Sequence, residues 1–297
     1  MDNLCHSLVG AALAEAGLKH RSRRAYVTLV VGANFPDLDV LAVFTDHGLG
    51  FRRGITHGVP ALVLLPLVLT GLVLAWDRWR PGRDGPVDAG RLLGLAALAV
   101  LTHPVLDWLN VYGMRWLMPL DGRWFYGDTL FIVDPWLWLV LAAGALAARL
   151  TGRTGMSRAA LLVSLVYIGA MWGLSRAGRR IVASELGLDT PGPRVVMVDP
   201  VFLTPWRRGV VVDAGDRYRF GEIEWLPVPA LRMAGREQPK TEAGLELDDL
   251  VLDQAALEFL DWARFPYLIL EGDRVRLEDA RYSKGGRSWA GVTVSRR

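Results

Sequence analysis

A single cysteine, Cys5, in a chain of 297 residues excludes an internal disulfide and any CxxC-type metal site. Histidine is nearly as scarce: His6, His20, His47, His57 and His103 are the whole set, so any imidazole chemistry rests on few positions. The first ten residues carry no basic stretch and no small-residue cleavage pattern, and no removable signal peptide is expected. No long basic stripe with interleaved aromatics occurs. The net charge of +3 therefore fits an anionic lipid surface as partner and not a nucleic acid.

Charge is missing altogether from residues 59–76 and 159–175, in a chain that is 52% hydrophobic. Uncharged runs of this length read as membrane-spanning helices. A pair of buried core helices in a soluble protein is the other reading, and the recurrence of such runs argues against it. Trp76, Trp79, Trp108, Trp116, Trp124 and Trp136 cluster near the expected helix ends, where a membrane interface favours indole rings.

A short apolar helix is expected over 3–18, followed by a basic turn from Lys19 to Arg24. The apolar segment 25–44 is broken by Asn34-Phe35-Pro36-Asp37-Leu38-Asp39, and spans are expected at about 57–77, 92–110, 131–149 and 158–177. Residues 1–180 thus read as an α-helical multi-pass membrane bundle of about five to six helices. Beyond Arg180 the pattern becomes short, β-branched and punctuated by Asp, Gly and Pro. Strands are expected at Arg194–Val198, Gly209–Asp213, Tyr218–Trp225, Tyr267–Leu270 and Val292–Val294, with a helix over Leu250–Ala263. Residues 181–297 would form a soluble α+β, strand-rich domain, with Glu222, Glu224, Asp248 and Asp249 as solvated acids. Alternating spans place Lys19, Arg21, Arg23, Arg24, Arg83 and further arginines on one face. Their excess marks that face as cytoplasmic and puts the C-terminal domain on the other side.

Three histidines, His6, His57 and His103, lie in or beside apolar segments, accompanied by Asp37, Asp39, Asp107 and Asp134. Ionisable groups at membrane depth are costly and mark function. Span parity carries all of them toward one membrane face, opposite the basic turn. His103 and Asp107, four apart, project from one face of a helix, and a nitrogen and an oxygen donor at that spacing suit zinc or a similar divalent cation. Asp37 and Asp39 would share a side in an extended stretch and diverge by about 200° in a helix. One is read as a ligand, the other as a base or as a group that orients a ligand. Each of these residues alone also fits an ordinary packing role. Asp134, before Pro135, fits a helix cap as well as a ligand, and Asp128 shares that ambiguity. His20 and His47 are expected in solvated loops. Arg53 fits either a positive end-cap or a bidentate phosphate binder.

Read in order, several motifs resemble one family. They are Asp2-Asn3-Leu4-Cys5-His6-Ser7-Leu8-Val9-Gly10, Pro36-Asp37-Leu38-Asp39, Arg52-Arg53-Gly54-Ile55-Thr56-His57 and His103-Pro104-Val105-Leu106-Asp107. Asn110-Val111-Tyr112-Gly113, Trp124-Phe125-Tyr126-Gly127-Asp128 and Ile132-Val133-Asp134-Pro135 complete the set. Together they look like the bacterial inner-membrane proteins described as LexA-regulated, membrane-bound predicted metal-dependent hydrolases, the YdjM type, over roughly residues 1–180. That family is distantly similar to zinc-dependent phospholipase C and the S1/P1 nucleases. The resemblance implies an inner-membrane location and His6, Asp37, His57, His103 and Asp107 as metal ligands. Those enzymes also carry a later HxxxE pair. No histidine follows His103 here, which leaves Asp134 or Asp128 to supply that part.

The function expected is a membrane-bound metal-dependent hydrolase with one or two divalent ions. Zinc stands first, with manganese and magnesium behind it. The metal would activate water, Asp39 or Asp37 would take its proton, and Arg53 would hold the substrate anion. A lipid or lipid-linked phosphoester or other ester is the expected substrate. The alternative is a non-enzymatic membrane protein with a structural His/Asp metal site and a partner-binding C-terminal domain. A third reading, an ion-coupled transporter, would scatter the acids through the membrane depth, and their one-sided placement disfavours it. The sequence gives no oligomeric state.

Overall fold

The computed structural model describes residues 1–44, 48–82, 87–187, 196–241, 245–283 and 288–297. His47, Arg83 and the first two residues of the strand expected at Arg194–Val198 lie outside the described residues. The chain divides into two compact units, Met1–Leu41 with Arg53–Gly173, and Ala42–Arg52 with Leu174–Arg297.

The first unit is helical. Helix α1 (Asn3–Glu15) begins where the Asp2 carboxylate accepts a hydrogen bond from the Cys5 backbone N–H at 3.1 Å. It ends before Gly17, which takes a positive φ of 117°. Helix α2 (Ala25–Gly32) follows, and a 3-10 segment from Phe35 to Phe44 carries the Pro36-Asp37-Leu38-Asp39 motif. The four-residue helix α3 (Gly48–Phe51) groups with the second unit. Helices α4 (Val59–Trp79), α5 (Ala89–Trp108), α6 (Pro135–Thr151) and α7 (Thr154–Glu185) come next. Helix α2 packs on α1 and α5, α4 on α5, and α1 on α6. Glycine sets the closest approaches: a Cβ on Gly10 would lie 2.6 Å from the Leu29 carbonyl oxygen, and one on Gly144 would lie 2.1 Å from the Ala160 methyl. Small residues at helix contacts are how bundles pack where lipid removes the hydrophobic drive between helices.

Among the described residues, three helices, α4, α5 and α7, are long and apolar enough to cross a membrane, and α6 is a shorter apolar helix. On α4, Val59, Val63, Leu64, Leu67, Val68 and Leu72 are all exposed. Leaving each in water forgoes about 1.5–3 kcal/mol of burial. Summed over the helix, that rivals the roughly 5–15 kcal/mol net stability of a whole domain, so lipid is the environment that accommodates this face. Opposite charges gather at the C-terminal end of α4. Arg23 Nε and Arg24 Nε lie 3.1 and 3.0 Å from Asp77 Oδ1, tying the basic turn to that end.

The second unit is strand-rich. Antiparallel strands β1 (Val196–Val201), β2 (Thr204–Asp213), β3 (Arg217–Glu224) and β4 (Ala230–Pro239) form one sheet in sequence order. Strands β5 (Leu250–Val251), β6 (Pro266–Glu271), β7 (Arg274–Asp279) and β8 (Gly291–Arg296) form a second, in the order β5-β8-β7-β6, with helix α8 (Gln254–Trp262) between β5 and β6. Three strands, β4, β5 and β7, fall where no strand was expected: β5 lies in the segment expected as helix, β7 shows only a short Arg-Val-Arg-Leu alternation, and β4 loses its alternation after Met233 in Ala-Gly-Arg-Glu-Gln. Leu250–Val251 pairs with β8, so α8 begins later than expected. Helix α7 continues past the expected end of its span at residue 177 to Glu185. The arginines at 176, 179 and 180 end the apolar run but not the helix, because the following turns pack Val182 into a core with Val198, Val210, Val212 and Ile223.

Gly10→Val and Gly144→Val should each destabilise the protein by about 1–3 kcal/mol through overpacking, lowering the thermal midpoint in detergent. Gly94→Ala, whose added methyl meets nothing within 4 Å, should hold or raise that midpoint. Equal midpoints for all three variants would contradict the close helix contacts.

Candidate metal centre

Four segments bring side chains to one point. His6 sits on the first full turn of α1, Asp37 on the 3-10 segment, His57 on the turn that precedes α4, and His103 with Asp107 one turn apart on α5. The turn holding His57 is tight: the N–H groups of His57 and Gly58 both donate to the Gly54 carbonyl at 2.9 Å. Arg53, just before it, adopts φ +48°, a region that side chains other than glycine rarely occupy. Its backbone N–H donates to Asp39 Oδ2 at 2.6 Å, and its guanidinium donates to Asn110 Oδ1, the Gly113 carbonyl and Asp107 Oδ1 at 3.0–3.1 Å. Those bonds hold the turn against its strain.

The donor atoms of Asp37, His57, His103 and Asp107 all lie within 4.8 Å of one another, an arrangement that could hold a metal ion. His57 Nε2 and His103 Nε2 are 3.1 Å apart. His103 Nε2 stands 3.6 Å from Asp37 Oδ1 and 3.5 Å from Asp107 Oδ2, and His57 Nε2 stands 3.5 Å from Asp107 Oδ2. Nitrogen and oxygen ligands about 2.0–2.2 Å from a tetrahedral ion are about 3.3–3.5 Å from each other, so the spacing fits a shared cation.

Protonation reinforces the geometry. His103 Nδ1 lies 2.7 Å from the Ala33 carbonyl, which only accepts, so Nδ1 carries a proton and Nε2 is the nitrogen turned to the cluster. His57 Nδ1 faces the Asp39 carboxylate at 3.6 Å and the Thr56 hydroxyl at 3.0 Å, which leaves Nε2 as the nitrogen turned to the cluster. The two Nε2 atoms face each other at 3.1 Å, and with both imidazoles neutral and Nδ1-protonated they would offer two lone pairs to one cation. Burial pushes the His57 imidazole below its ordinary pKa and His6 down to about 3, keeping both rings neutral and able to donate electron pairs. Burial alone would raise the Asp37 carboxyl, but the neighbouring His103 outweighs it and brings the group down to about 2.

His6 stacks on His103 with ring centroids 3.8 Å apart, and its Nε2 lies 3.3 Å from Asp107 Oδ1. Neither His6 nitrogen has a hydrogen-bond partner among the described residues, and the residue is fully buried. Buried polar atoms of this kind are almost always satisfied, and unsatisfied ones at a donor cluster fit a bound ion. The remaining residues read from the sequence fall elsewhere. Asp39 lies behind His57, on the Nδ1 edge of the ring, where it orients the imidazole. Arg53 is buried and committed to Asp107, with Tyr112 stacked on its guanidinium at 4.6 Å. Asp134 is placed as a helix cap: Oδ1 accepts from the Leu137 N–H at 3.0 Å and Oδ2 from the Tyr167 hydroxyl at 2.9 Å. Pro104 sits within an unbroken α5. Sequence reasoning missed Asn3, whose amide donates to Asp37 Oδ2 at 2.9 Å, Asn110 behind Arg53, and the Met1 amino group against Asp107. The Asn110-Val111-Tyr112-Gly113 motif was the available signal for the second of these.

The model of the YdjM inner membrane protein family matches residues 1–177, well over half of the chain. The chain belongs to the YdjM inner membrane protein family. The matched region holds every member of the donor cluster, and membership agrees with three helices able to cross a membrane. "Uncharacterized protein YfhP" of Bacillus subtilis (strain 168) is 22% identical over 142 residues, 47% of this chain and 41% of that protein. The chain thus spans well under half the length of the curated relative it matches. No solved structure matches this YdjM-family chain.

Purified without chelator, the protein should carry a stoichiometric divalent metal by elemental analysis. His57→Ala and His103→Ala should lose it. Asp134→Asn should keep it with little loss of stability, since asparagine caps a helix about as well as aspartate. Metal lost from Asp134→Asn and retained in His103→Ala would reverse the assignment.

Proposed function

We propose that this protein is a membrane-bound metal-dependent hydrolase, with zinc or a similar divalent ion held by His57, His103, Asp37 and Asp107. The observation that carries the reading is the pair of imidazole nitrogens facing each other at 3.1 Å between two carboxylates. A two-nitrogen, two-oxygen donor set suits zinc, with manganese second. When bound, such an ion supplies Lewis acidity and a water of lowered pKa. The chain's own residues do the rest. Asp39 fixes the orientation of His57, Arg53 balances the charge of Asp107, and Asn3 holds the outer oxygen of Asp37.

Asp37 marks the open side of the centre: its side chain is 12% exposed, while those of His57, His103 and Asp107 are closed off. Close by in sequence, Leu4, Leu38, Val40, Leu41 and Ile55 are all exposed. An aliphatic surround at the open side favours a substrate that arrives with acyl or isoprenoid chains, a lipid or lipid-linked phosphoester. A second reading, a structural metal site in a non-enzymatic membrane protein, is favoured by a different fact. Four protein donors are enough to close a tetrahedral ion.

Turnover separates the two. In lipid nanodiscs loaded with zinc, release of a phosphomonoester from phospholipid should fall by about a hundredfold or more in His103→Ala and Asp37→Asn. Asp39→Asn, acting through His57, should lose about tenfold. Stoichiometric metal without measurable hydrolysis of any phospholipid or lipid-linked phosphoester would leave the structural reading in place of the hydrolase.

A further inference from the structure

We propose that the C-terminal unit rests on the membrane surface through the tips of its β1–β2 and β3–β4 hairpins, with the bilayer crossed by α7 as the surface they enter. Strand register places both tips at one end of the first sheet: Val201 pairs with Thr204 across the first turn, and Glu224 pairs with both Arg207 and Ala230 beside the second. Beyond the ion pairs of Arg207 with Glu222 and Glu224, the turns at that end expose Phe202, Leu203, Leu226 and Val228, with Trp206 beside them. At the opposite end Arg217 pairs with Asp216 and Glu237, and Lys240 with Asp213 at 2.8 Å. Exposed apolar side chains gathered on two neighbouring turns mark an interaction surface.

Helix α7 says which way the apolar end faces. Its uncharged stretch lies between Arg158 and Arg176, a rise of about 27 Å at 1.5 Å per residue, close to the roughly 30 Å hydrocarbon core. Gly178 follows Arg176 by two positions, about 3 Å along the helix. A Cβ there would lie 2.9 Å from Val198, 3.0 Å from Ile223 and 3.8 Å from Trp225, the residue that leads into the β3–β4 tip. One turn farther along, Val182 belongs to the core of Val198, Val210, Val212 and Ile223, with Leu186 and Val196 packed against it. Within this unit, the strands therefore run toward their tips in the direction from Val182 back to Gly178, and Trp225 lies beside Gly178, two positions past Arg176. Indoles and aliphatic side chains at that depth fit the interfacial zone, and the exposed Arg176 and Arg180 beside them complement anionic headgroups.

The proposal rests on α7 crossing the bilayer, and the test reads that separately. Single cysteines replace Phe202, Val228, Asp216 or Val166 in the full chain, with the wild type, whose only thiol is the buried Cys5, as the blank. Each is labelled with an environment-sensitive fluorophore and reconstituted in vesicles of phosphatidylethanolamine and phosphatidylglycerol. Labels at Phe202→Cys and Val228→Cys should be quenched several-fold more by lipid-borne nitroxide than the label at Asp216→Cys, and several-fold less by aqueous iodide. Tip labels that match Asp216→Cys in both quenchers overturn the proposal. In that event, a Val166→Cys label still shielded from iodide leaves the α7 span standing. A Val166→Cys label open to iodide removes the span as well.

Discussion

Two imidazole nitrogens at 3.1 Å, flanked by two carboxylates, form the contact around which the helical unit is organised. Buried donors gathered this closely need compensating positive charge, part of which Arg53 and the Met1 amino group bring to Asp107. Every neighbouring feature serves to hold it. The Ala33 carbonyl fixes His103, Asp39 and Thr56 fix His57, and Arg53 keeps its strained backbone so that one residue can bond both Asp39 and Asp107.

The second constraint is the lipid. Helix α4 starts beside the donor cluster and ends at Asp77, where Arg23 and Arg24 meet it, and α5 returns from that basic end to His103 and Asp107. Ionisable residues are thus segregated to the two ends of the helical pair, and the aliphatic stretch between them faces outward. Segregation of this kind follows from the free energy of charge in hydrocarbon. It is also why a histidine-carboxylate centre and a basic cluster occupy opposite ends of one short bundle.

Much of the centre was legible because polar residues stand out against an apolar background. His57, His103, Asp37 and Asp107 were each conspicuous in or beside uncharged runs, and the HxxxD spacing put two of them on one helix face. The roles of their neighbours were less legible. Asp39 is two residues from Asp37, but the 3-10 conformation turns the two carboxylates to different edges of the site, one toward His103 and one behind His57. Asp134 belongs to a motif of the same family and still serves as a helix cap, because the Leu137 N–H and the Tyr167 hydroxyl occupy its oxygens. The strands β4 and β7 were less legible for a different reason: the alternation in β7 is only four residues long before two buried acids, and in β4 it lapses after Met233.

Taken alone, the sequence determined which segments prefer lipid, which residues bring charge into them, and where helical patterning yields to short strands. Those properties are local, set by side-chain transfer free energies and spacing along the chain. Only the tertiary structure decided which nitrogen of each imidazole faces the centre, that Arg53 is bound to Asp107, and that α7 outlasts its apolar stretch to seat the first sheet. Those outcomes depend on contacts between residues far apart in the chain, and no local pattern encodes which of several compatible partners a buried polar atom will find.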